Sequence, residues 1–356
     1  MASGAPKFET GLASRKNPLV ARAKMAAAKM SPTQVDIVLP CHEGDAYAEE
    51  ALRSLLVQTH ESWKAWIVDD GSSEQSRQKL MEIVARFADP RINVITQRQQ
   101  GAAAARNKGV EMGEAPWVAF LDIDDLWVPD KLERQLTLAS SREGFAAVYS
   151  DYLILCDGRL SPSTVPPRLS GLIGPALVRE GNRVSGSASA VLVSRSALRK
   201  AGPFDESLRL GEDWDMWIRI ALLGEFTYVN QPLVHVRQRS GSVQEAHRLG
   251  ATYAEKTHDL LAHVRIVQRH APMILPEGQG DPVVLDRLRK EARRLAKRRL
   301  TWPEVGRLKA ELLAGGDVGK ATSGALATMN LLPCLPWILV RTLKADCAPG
   351  RWGYNP

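Results

Sequence analysis

Residues 117–125 constrain the fold of this chain more than any other stretch. Five consecutive apolar residues, 117–121, are followed by Asp122, Asp124 and Asp125 within four positions. An apolar run of this length is typical of a strand that is buried on both faces of a parallel sheet. Open α/β sheets bind their ligands at the carboxyl ends of such strands. The stretch therefore predicts an acidic ligand site at one sheet edge; the plainer alternative is an acidic turn that caps the next helix.

The same three carboxylates indicate what such a site would bind. Acids this close together repel one another and partly neutralise unless a cation lies among them. Carboxylate oxygens suit Mg²⁺ or Mn²⁺, and Mg²⁺ usually shares its coordination shell with substrate phosphates. The Asp-x-Asp pair formed by Asp122 and Asp124 therefore favours a divalent metal that is shared with a phosphate ligand.

Apolar runs and amphipathic stretches alternate from residue 35 onward. The runs predict strands at residues 35–39, 65–68, 92–96 and 117–121. The stretches between them predict helices at residues 46–58, 74–88 and 102–112. Strands that alternate with helices of this length form βαβ units with right-handed crossovers. We therefore expect an α/β fold in which helices flank a mostly parallel sheet.

The pattern becomes less regular after Asp125. It predicts a helix at 129–140, strands at 146–150, 188–193, 226–229 and 233–237, a helix at 212–223, and long loops over an open site at 157–187. Beyond about residue 245 the chain becomes helical and basic. The predicted organisation is a flexible basic leader at 1–34, an α/β domain at 35–244 and a helical, basic C-terminal region at 245–356.

The positive charge of the chain is concentrated at its two ends. The net charge is +7, yet residues 35–280 contain 27 basic and 32 acidic residues. A nucleic-acid-binding core is therefore disfavoured, because such a surface must present clustered positive charge. The basic segment 285–300 and the apolar segment 331–343 could instead contact an anionic membrane, and a helical subdomain packed on the sheet is the alternative.

The cysteines and the apolar segments bear on the compartment. The four cysteines, at positions 41, 156, 334 and 347, are too far apart for a disulfide scaffold or a zinc motif, which favours a reducing compartment. We find no secretory signal before residue 34. Residues 321–340 carry no charge, but Gly324, Asn330, Pro333 and Pro336 interrupt this apolar segment. We therefore do not expect it to span a membrane. The expected location is the cytoplasm, with peripheral contact to the inner face of the membrane left open.

Four motifs occur in a fixed order along the predicted strand ends. They are Pro-Cys-His-Glu at 40–43, Asp-Asp-Gly-Ser at 69–72, the acidic motif at 121–125, and a last motif made of Gly-Pro-Phe-Asp-Glu-Ser-Leu at 202–208 followed by Gly-Glu-Asp-Trp at 211–214. Together they resemble family 2 glycosyltransferases, the inverting nucleotide-sugar enzymes of GT-A fold. The resemblance covers about residues 35–243 and implies a glycosyltransferase of hexosyltransferase type.

The resemblance assigns the nucleoside to the first two strand ends. Pro40, His42 and Glu43 would bracket it together with Asp70, and the ring at position 42 would face the base. His42 departs from the tyrosine-like residue that is common there, although imidazole can also stack. The plainer alternative for Asp70 is a capped turn between strand and helix. Arg106 matches a family arginine near the nucleotide, and a salt bridge on the helix surface is its alternative.

The family pattern also assigns the metal, the base and the phosphate contacts. Asp124 would bind the metal with Asp122 beside it, and Asp122 would also contact the ribose or sugar. Asp213 would be the catalytic base, for which a helix-capping role is the alternative. Arg237 or Arg239 would neutralise phosphate charge.

The implied reaction is transfer of a sugar from a nucleoside-diphosphate sugar to a carbohydrate or lipid-linked acceptor hydroxyl, with Mg²⁺ or Mn²⁺. A sugar nucleotidyltransferase is the main alternative, but the loop after the first strand lacks the glycine- and arginine-rich phosphate loop of those enzymes. The second alternative is a non-catalytic relative that binds a glycan or a membrane. Neither the donor sugar nor the acceptor can be read from the sequence.

Overall fold

The computed structural model describes residues 34–163, 168–184 and 187–238, and much of 262–275 together with residue 283. All of them belong to one compact unit of the chain, Gln34–Pro356. The predicted leader, the boundary near 244, Arg239 and the segments 285–300 and 331–343 lie outside the described residues. The predictions made for them therefore stay predictions.

The first half of the fold follows the predicted alternation closely. Its strands are Val35–Cys41 (β1), Trp63–Asp70 (β2), Ile92–Gln97 (β3) and Trp117–Phe120 (β4). Its helices are Asp45–Leu56 (α1), Glu74–Phe87 (α2) and Ala102–Met112 (α3). These four strands are parallel neighbours in the order β3-β2-β1-β4. Their carboxyl ends consequently share one edge of the sheet.

The second half adds strands of both directions to this sheet. Its strands are Leu126–Trp127 (β5), Phe145–Cys156 (β6), Arg159–Pro162 (β7), Val191–Ser194 (β8) and Glu225–Arg237 (β9). Its helices are Lys131–Ala139 (α4), Gly174–Glu180 (α5), Arg195–Ala201 (α6) and Glu212–Ala221 (α7), and a short 3₁₀ turn spans Ala188–Ala190. The order continues as β4-β8-β6-β9-β5, with β8 antiparallel to β4 and β6. The predicted α/β class with a mostly parallel sheet and flanking helices is confirmed.

Two predictions for the second half were wrong. A single strand, β9, spans both of the strands expected at 226–229 and 233–237. Pro232 does not end it, because its pairing with β6 shifts register on both sides of Asp151, which is the residue paired with Pro232. The region 157–187 is not only loop, since it contains β7 and α5. Local turn residues suggested breaks that the long-range pairing overrides.

Side-chain packing in the core on one side of the sheet fixes the position of α7. Phe120 of β4, Phe204 and Trp217 of α7 pack edge to face or tilted, with ring centroids 5.3 to 6.4 Å apart. Apolar residues of the described helical part of 262–275, including Ile266, join the same cluster with Trp214. Within the described residues no helix is long and apolar enough to cross a membrane.

Candidate active site

The carboxyl ends of β1, β2 and β4 bring the predicted motifs to one edge. His42 lies exposed after β1, and its Nδ1 is 3.0 Å from the carbonyl oxygen of Asp70 at the end of β2. Its Nε2 is 3.0 Å from Nε2 of Gln99. The carboxylate of Glu43 accepts hydrogen bonds from the backbone N–H and the hydroxyl of Ser73. Hydrogen bonds therefore join the loop after β1 to the loop after β2. Pro40, the second-to-last residue of β1, lies just before the first of these loops.

The carboxylate of Asp70 organises the loop that precedes α3. One oxygen accepts from the backbone N–H of Gln100 at 2.8 Å and the side chain of Gln97 at 2.8 Å. The other accepts from the N–H of Gly101 at 2.7 Å. Asp70 is only 4% exposed. Its expected contact with the base stays a prediction, and any such contact would have to share oxygens that already hold this loop.

The three acids after β4 differ in their surroundings. Asp122 accepts from Ser187 at 3.1 Å and from Arg106, whereas Asp125 is 2% exposed. Asp125 accepts from Ser187 at 2.9 Å, from Ser189 at 2.6 Å and from the backbone N–H of Arg237 at 3.0 Å. Burial, and then the charges of Asp122 and Asp124, raise the pKa of Asp125 to about 8. Negative charge is therefore crowded at this strand end.

The acids fit a metal that a substrate helps to coordinate. Among the described residues no group of three or more His, Cys, Asp or Glu side chains forms a ready-made metal site. Asp124 is half-buried near Asp122, and a cation would relieve the repulsion from Asp122 and Asp124 that, after burial, raises the pKa of Asp125. One or two carboxylates plus phosphate oxygens are the usual donors for Mg²⁺. The donor set fits such a shared ion and does not fit a metal cage built from protein alone.

Arg106 links the acidic strand end to the start of α7. Its guanidinium donates to Asp122 at 2.8 Å through Nη2 and to Glu212 at 2.7 Å through Nη1. The residue is 5% exposed and lies 5.8 Å from the centroid of the Phe204 ring. The alternative expected for Arg106 is right that the residue forms salt bridges, but they are buried and join separate elements instead of lying on the helix surface. The expected nucleotide contact of Arg106 stays a prediction.

Asp213 lies in the first turn of α7 and is half-buried. One carboxylate oxygen accepts from the N–H of Trp214 at 2.7 Å, and the other accepts from Nδ2 of Asn182 at 3.1 Å. The N-cap position belongs to Gly211, so the capping alternative for Asp213 is wrong. Burial, with a smaller contribution from the charge of Glu212, raises the pKa of Asp213 to about 7. Such a carboxyl can exchange a proton near neutral pH.

Arg237 lies beneath the acidic loop. Its Nε donates to the carbonyl oxygen of Asp124 at 2.9 Å, and its Nη2 donates to Glu50 at 2.6 Å. The guanidinium also lies 5.2 Å from the centroid of the Tyr47 ring. In this arrangement Arg237 supports the loop that carries the acids. Its predicted phosphate contact stays a prediction.

Sequence reasoning did not single out Asn182, Ser187 or Ser189. Each hydrogen-bonds to an acid of the site. Asn182 and Ser187 lie in the stretch 157–187 that was interpreted as loop, and Ser189 lies in the segment 188–193 that was predicted to be a strand. The alternating hydroxyls of Ser187 and Ser189 were the available signal. Without knowledge of which strands meet, it could not be distinguished from ordinary loop composition.

Comparison with known proteins identifies the family. Residues 36–150, which contain β1 to β4 and the acidic motif, match the model of glycosyl transferase family 2. Residues 36–150 of the chain match a family 2 glycosyltransferase domain. This confirms the predicted family, and glycosyltransferase is the enzyme class named for the curated relatives described next.

Several curated relatives of this domain are glycosyltransferases. An uncharacterised glycosyltransferase of Rickettsia conorii is 29% identical over 219 residues, which is 61% of this chain and 35% of the relative. The UDP-Glc:α-D-GlcNAc-diphosphoundecaprenol β-1,3-glucosyltransferase of Escherichia coli is 31% identical over 135 residues, 38% of this chain and 51% of the relative. An amylovoran biosynthesis glycosyltransferase of Erwinia amylovora is 29% identical over 233 residues, 60% of this chain and 73% of the relative. This chain therefore spans only about a third to a half of the first two relatives.

Solved structures confirm the GT-A fold of the domain. Residues 1–349 of S. aureus TarS, crystallised with UDP-GlcNAc, align with a TM-score of 0.66 at 14% identity, covering 87% of this chain and 92% of that one. A mannosyltransferase from Pyrobaculum calidifontis, solved with GDP-Man and Mn²⁺, aligns with a TM-score of 0.51 at 15% identity, covering 94% and 95%. At these identities the likeness concerns the fold alone.

Proposed function

We propose that this family 2 glycosyltransferase domain is an inverting, metal-dependent enzyme. It transfers a sugar from a nucleoside-diphosphate sugar to an acceptor hydroxyl. The observation that carries the proposal is the bridge made by Arg106. One guanidinium holds Asp122 of the acidic motif and Glu212, the neighbour of Asp213, at 2.8 and 2.7 Å. This bridge supports the proposal, because one side chain would connect the proposed diphosphate site to the helix that carries the proposed proton acceptor.

The residues of the chain divide the reaction between them. His42, Glu43 and Asp70, with Pro40 near the end of β1, would bracket the nucleoside. Asp213 removes the proton from the acceptor hydroxyl while the hydroxyl oxygen forms its bond to the anomeric carbon. The bond from that carbon to the diphosphate oxygen breaks on the opposite face, which inverts the anomeric configuration. Asp124, with Asp122, would hold the divalent metal, which supplies Lewis-acid stabilisation of the leaving diphosphate.

The relatives suggest the class of substrates. The solved structures contain UDP-GlcNAc in TarS and GDP-Man in the mannosyltransferase, and the named E. coli relative acts on a diphosphoundecaprenol-linked sugar. We propose a nucleotide sugar as donor and a carbohydrate or lipid-linked acceptor of polysaccharide synthesis. The reaction would take place in the cytoplasm, and the basic region 245–356 would contact the inner face of the membrane. Family membership disfavours the nucleotidyltransferase alternative.

Donor binding should be visible as metal-dependent stabilisation. In a panel of nucleoside diphosphates and nucleotide sugars with Mn²⁺, we expect one base to raise the melting temperature selectively. A ligand at about 100 times its dissociation constant adds about 2.7 kcal/mol to the free energy of unfolding. Chelation with EDTA should remove the effect. The same mixtures, supplied with lipid-linked or glycan acceptors, should release the nucleoside diphosphate.

Two acid-to-amide substitutions test the role of the metal in this measurement, and the second of them is the matched control. Asp124→Asn should abolish the Mn²⁺-dependent part of the stabilisation. Asp130→Asn should not, because Asp130 lies at the start of α4 in a half-exposed ion pair with Arg134. Stabilisation that is equal with EDTA, or equal in Asp124→Asn, would contradict a role for the metal. No stabilisation and no product with any donor would favour the non-catalytic alternative.

The pH dependence of transfer should follow the ionisation of Asp213. Only the ionised carboxylate can accept the proton of the acceptor, and burial raises its pKa to about 7. We therefore expect kcat/KM to fall as the pH drops through about 7 and to level off above it. A series of initial rates from about pH 5 to about pH 9 at saturating metal measures this. A rate that is constant, or that rises as the pH falls, would contradict the assignment.

A further inference from the structure

The Asp213 carboxylate is held by two neutral donors. The N–H of Trp214 binds Oδ1 at 2.7 Å, and the amide of Asn182 binds Oδ2 at 3.1 Å. An ionised carboxylate has about four acceptor positions, so these donors leave about two for an incoming hydroxyl. The charged groups that act on Asp213 are Glu212 of its own helix, Arg106 of α3 and Asp122 after β4. Asn182 is the contact that comes from the loop after α5.

The orientation of the Asn182 amide is set by its other hydrogen bond. Its Oδ1 accepts from the backbone N–H of Val184 at 3.2 Å. A backbone N–H can meet only the oxygen of the amide, so the nitrogen must point at Asp213. The amide therefore presents a donor, and never an acceptor, to the carboxylate.

The loop that carries Asn182 is anchored at both sides. Gly181, with φ of +96°, ends α5 in a backbone conformation that glycine adopts without strain. Val184 is fully buried in the core, and its carbonyl oxygen accepts from Arg168 at 3.2 Å. Arg168 is itself buried and ion-paired with Asp151 of β6. A short loop that is anchored on both sides thus holds the Asn182 amide against the carboxylate of Asp213, the proposed base.

We propose that Asn182 is a positioning residue that fixes the Asp213 carboxylate for removal of the acceptor proton. This inference rests on the proposed function of Asp213. Asn182 lies outside residues 36–150, the part that the family model matches. Its donor stabilises the ionised carboxylate and turns the unused acceptor positions of both oxygens toward the acceptor hydroxyl. The proton passes to Asp213, and Asn182 keeps its own protons throughout.

Two substitutions separate positioning from folding. Asn182→Ala removes the donor, and Asn182→Asp keeps the shape but replaces the donor with a second carboxylate. We expect kcat to fall about tenfold or more in Asn182→Ala, with the KM for the donor within about twofold, because one hydrogen bond to a charged group is lost. The pH at which kcat/KM is half-maximal should rise in both, and rise further in Asn182→Asp because like charges oppose ionisation. Asn93→Ala is the matched control, since the Asn93 amide is also a hydrogen-bonded donor, but its partners are the backbone carbonyls of Ala65 and Arg91 and it lies on the edge strand β3.

A titration without turnover keeps this inference separate from the proposed function. The carboxyl ¹³C signal of Asp213, assigned by its loss in Asp213→Asn, reports the ionisation midpoint in the free protein. A higher midpoint in Asn182→Ala and Asn182→Asp than in wild type and Asn93→Ala supports the positioning role even if no donor is turned over. Unchanged midpoints, or kcat and pH profiles equal to wild type in both variants, would overturn it. Absence of transfer by the wild-type chain would count against the proposed function alone.

Discussion

Replacing Asp213 with asparagine should lower the rate of sugar transfer by about 10²- to 10⁴-fold, the usual contribution of a general base. The amide has nearly the same shape but cannot take the proton of an acceptor hydroxyl. Nucleotide-sugar binding should persist, because the residues proposed to contact the nucleoside and the acidic motif lie on other elements. Product formation measures the loss of transfer, and the rise in melting temperature with donor, measured on the same preparation, shows whether donor binding persists.

The control for this change is Asp205→Asn. Asp205 is also an acid near α7, but its carboxylate binds Ser207 and Arg269 on the surface instead of facing the site. We expect near wild-type transfer from it. If Asp213→Asn turned over at the wild-type rate, another group would be the base, and the proposed mechanism would need a new proton acceptor.

Replacing Arg106 with methionine should be the most destabilising change at the site. It leaves Asp122 and Glu212, with side chains 29% and 14% exposed, facing each other without their shared cation. Removing one partner of a buried ion pair costs about 3–5 kcal/mol, and the partial exposure of Asp122 places this case near 3 kcal/mol. Transfer by the folded fraction should also fall on the order of 10²-fold, because Glu212 and its neighbour would shift. Urea unfolding and initial rates measure the two effects.

Two comparisons show whether the bridge is responsible. Arg106→Lys keeps the charge but cannot donate to both acids in the fork geometry, so we expect partial recovery of stability and little recovery of rate. Arg53→Met removes an ion pair on the surface of α1, where Arg53 is 65% exposed, and should change the free energy of unfolding by about 0.5 kcal/mol or less. A loss no larger in Arg106→Met than in Arg53→Met would contradict the buried bridge.

The order of elements was predictable where local and long-range preferences agree. The strands β1, β2 and β4 are largely apolar and lead directly into polar motifs, so periodicity and burial indicate the same element. The shared edge then follows from parallel pairing, and it brings Asp70 and Asp122 to the same side. Short strands such as β5, with only Leu126 and Trp127, carry too little pattern to be recognised.

The partners of the site residues were not predictable, because they depend on pairings across the sheet. Arg106 and Glu212 are separated by 106 positions, and Asn182 and Asp213 by 31. The antiparallel strand β8 sets Ser187 and Ser189 against the acids, and nothing in its sequence indicates its direction. Sequence motifs could nominate the acids, whereas the groups that orient them emerged only from the fold.

The bridge made by Arg106 has a consequence for how this domain can change over time. In the proposed mechanism, donor binding involves the acidic strand end and acceptor activation involves the helix that begins at Glu212, and both of these elements are hydrogen-bonded to the guanidinium of Arg106. Substitutions at Asp122 and Glu212 should therefore be non-additive, as expected for residues in one ion-pair network. A lineage that adapts this domain to a new donor through Asp122 would alter the proton affinity of Asp213 in the same step. Under the proposed mechanism, donor binding and acceptor activation would therefore change together.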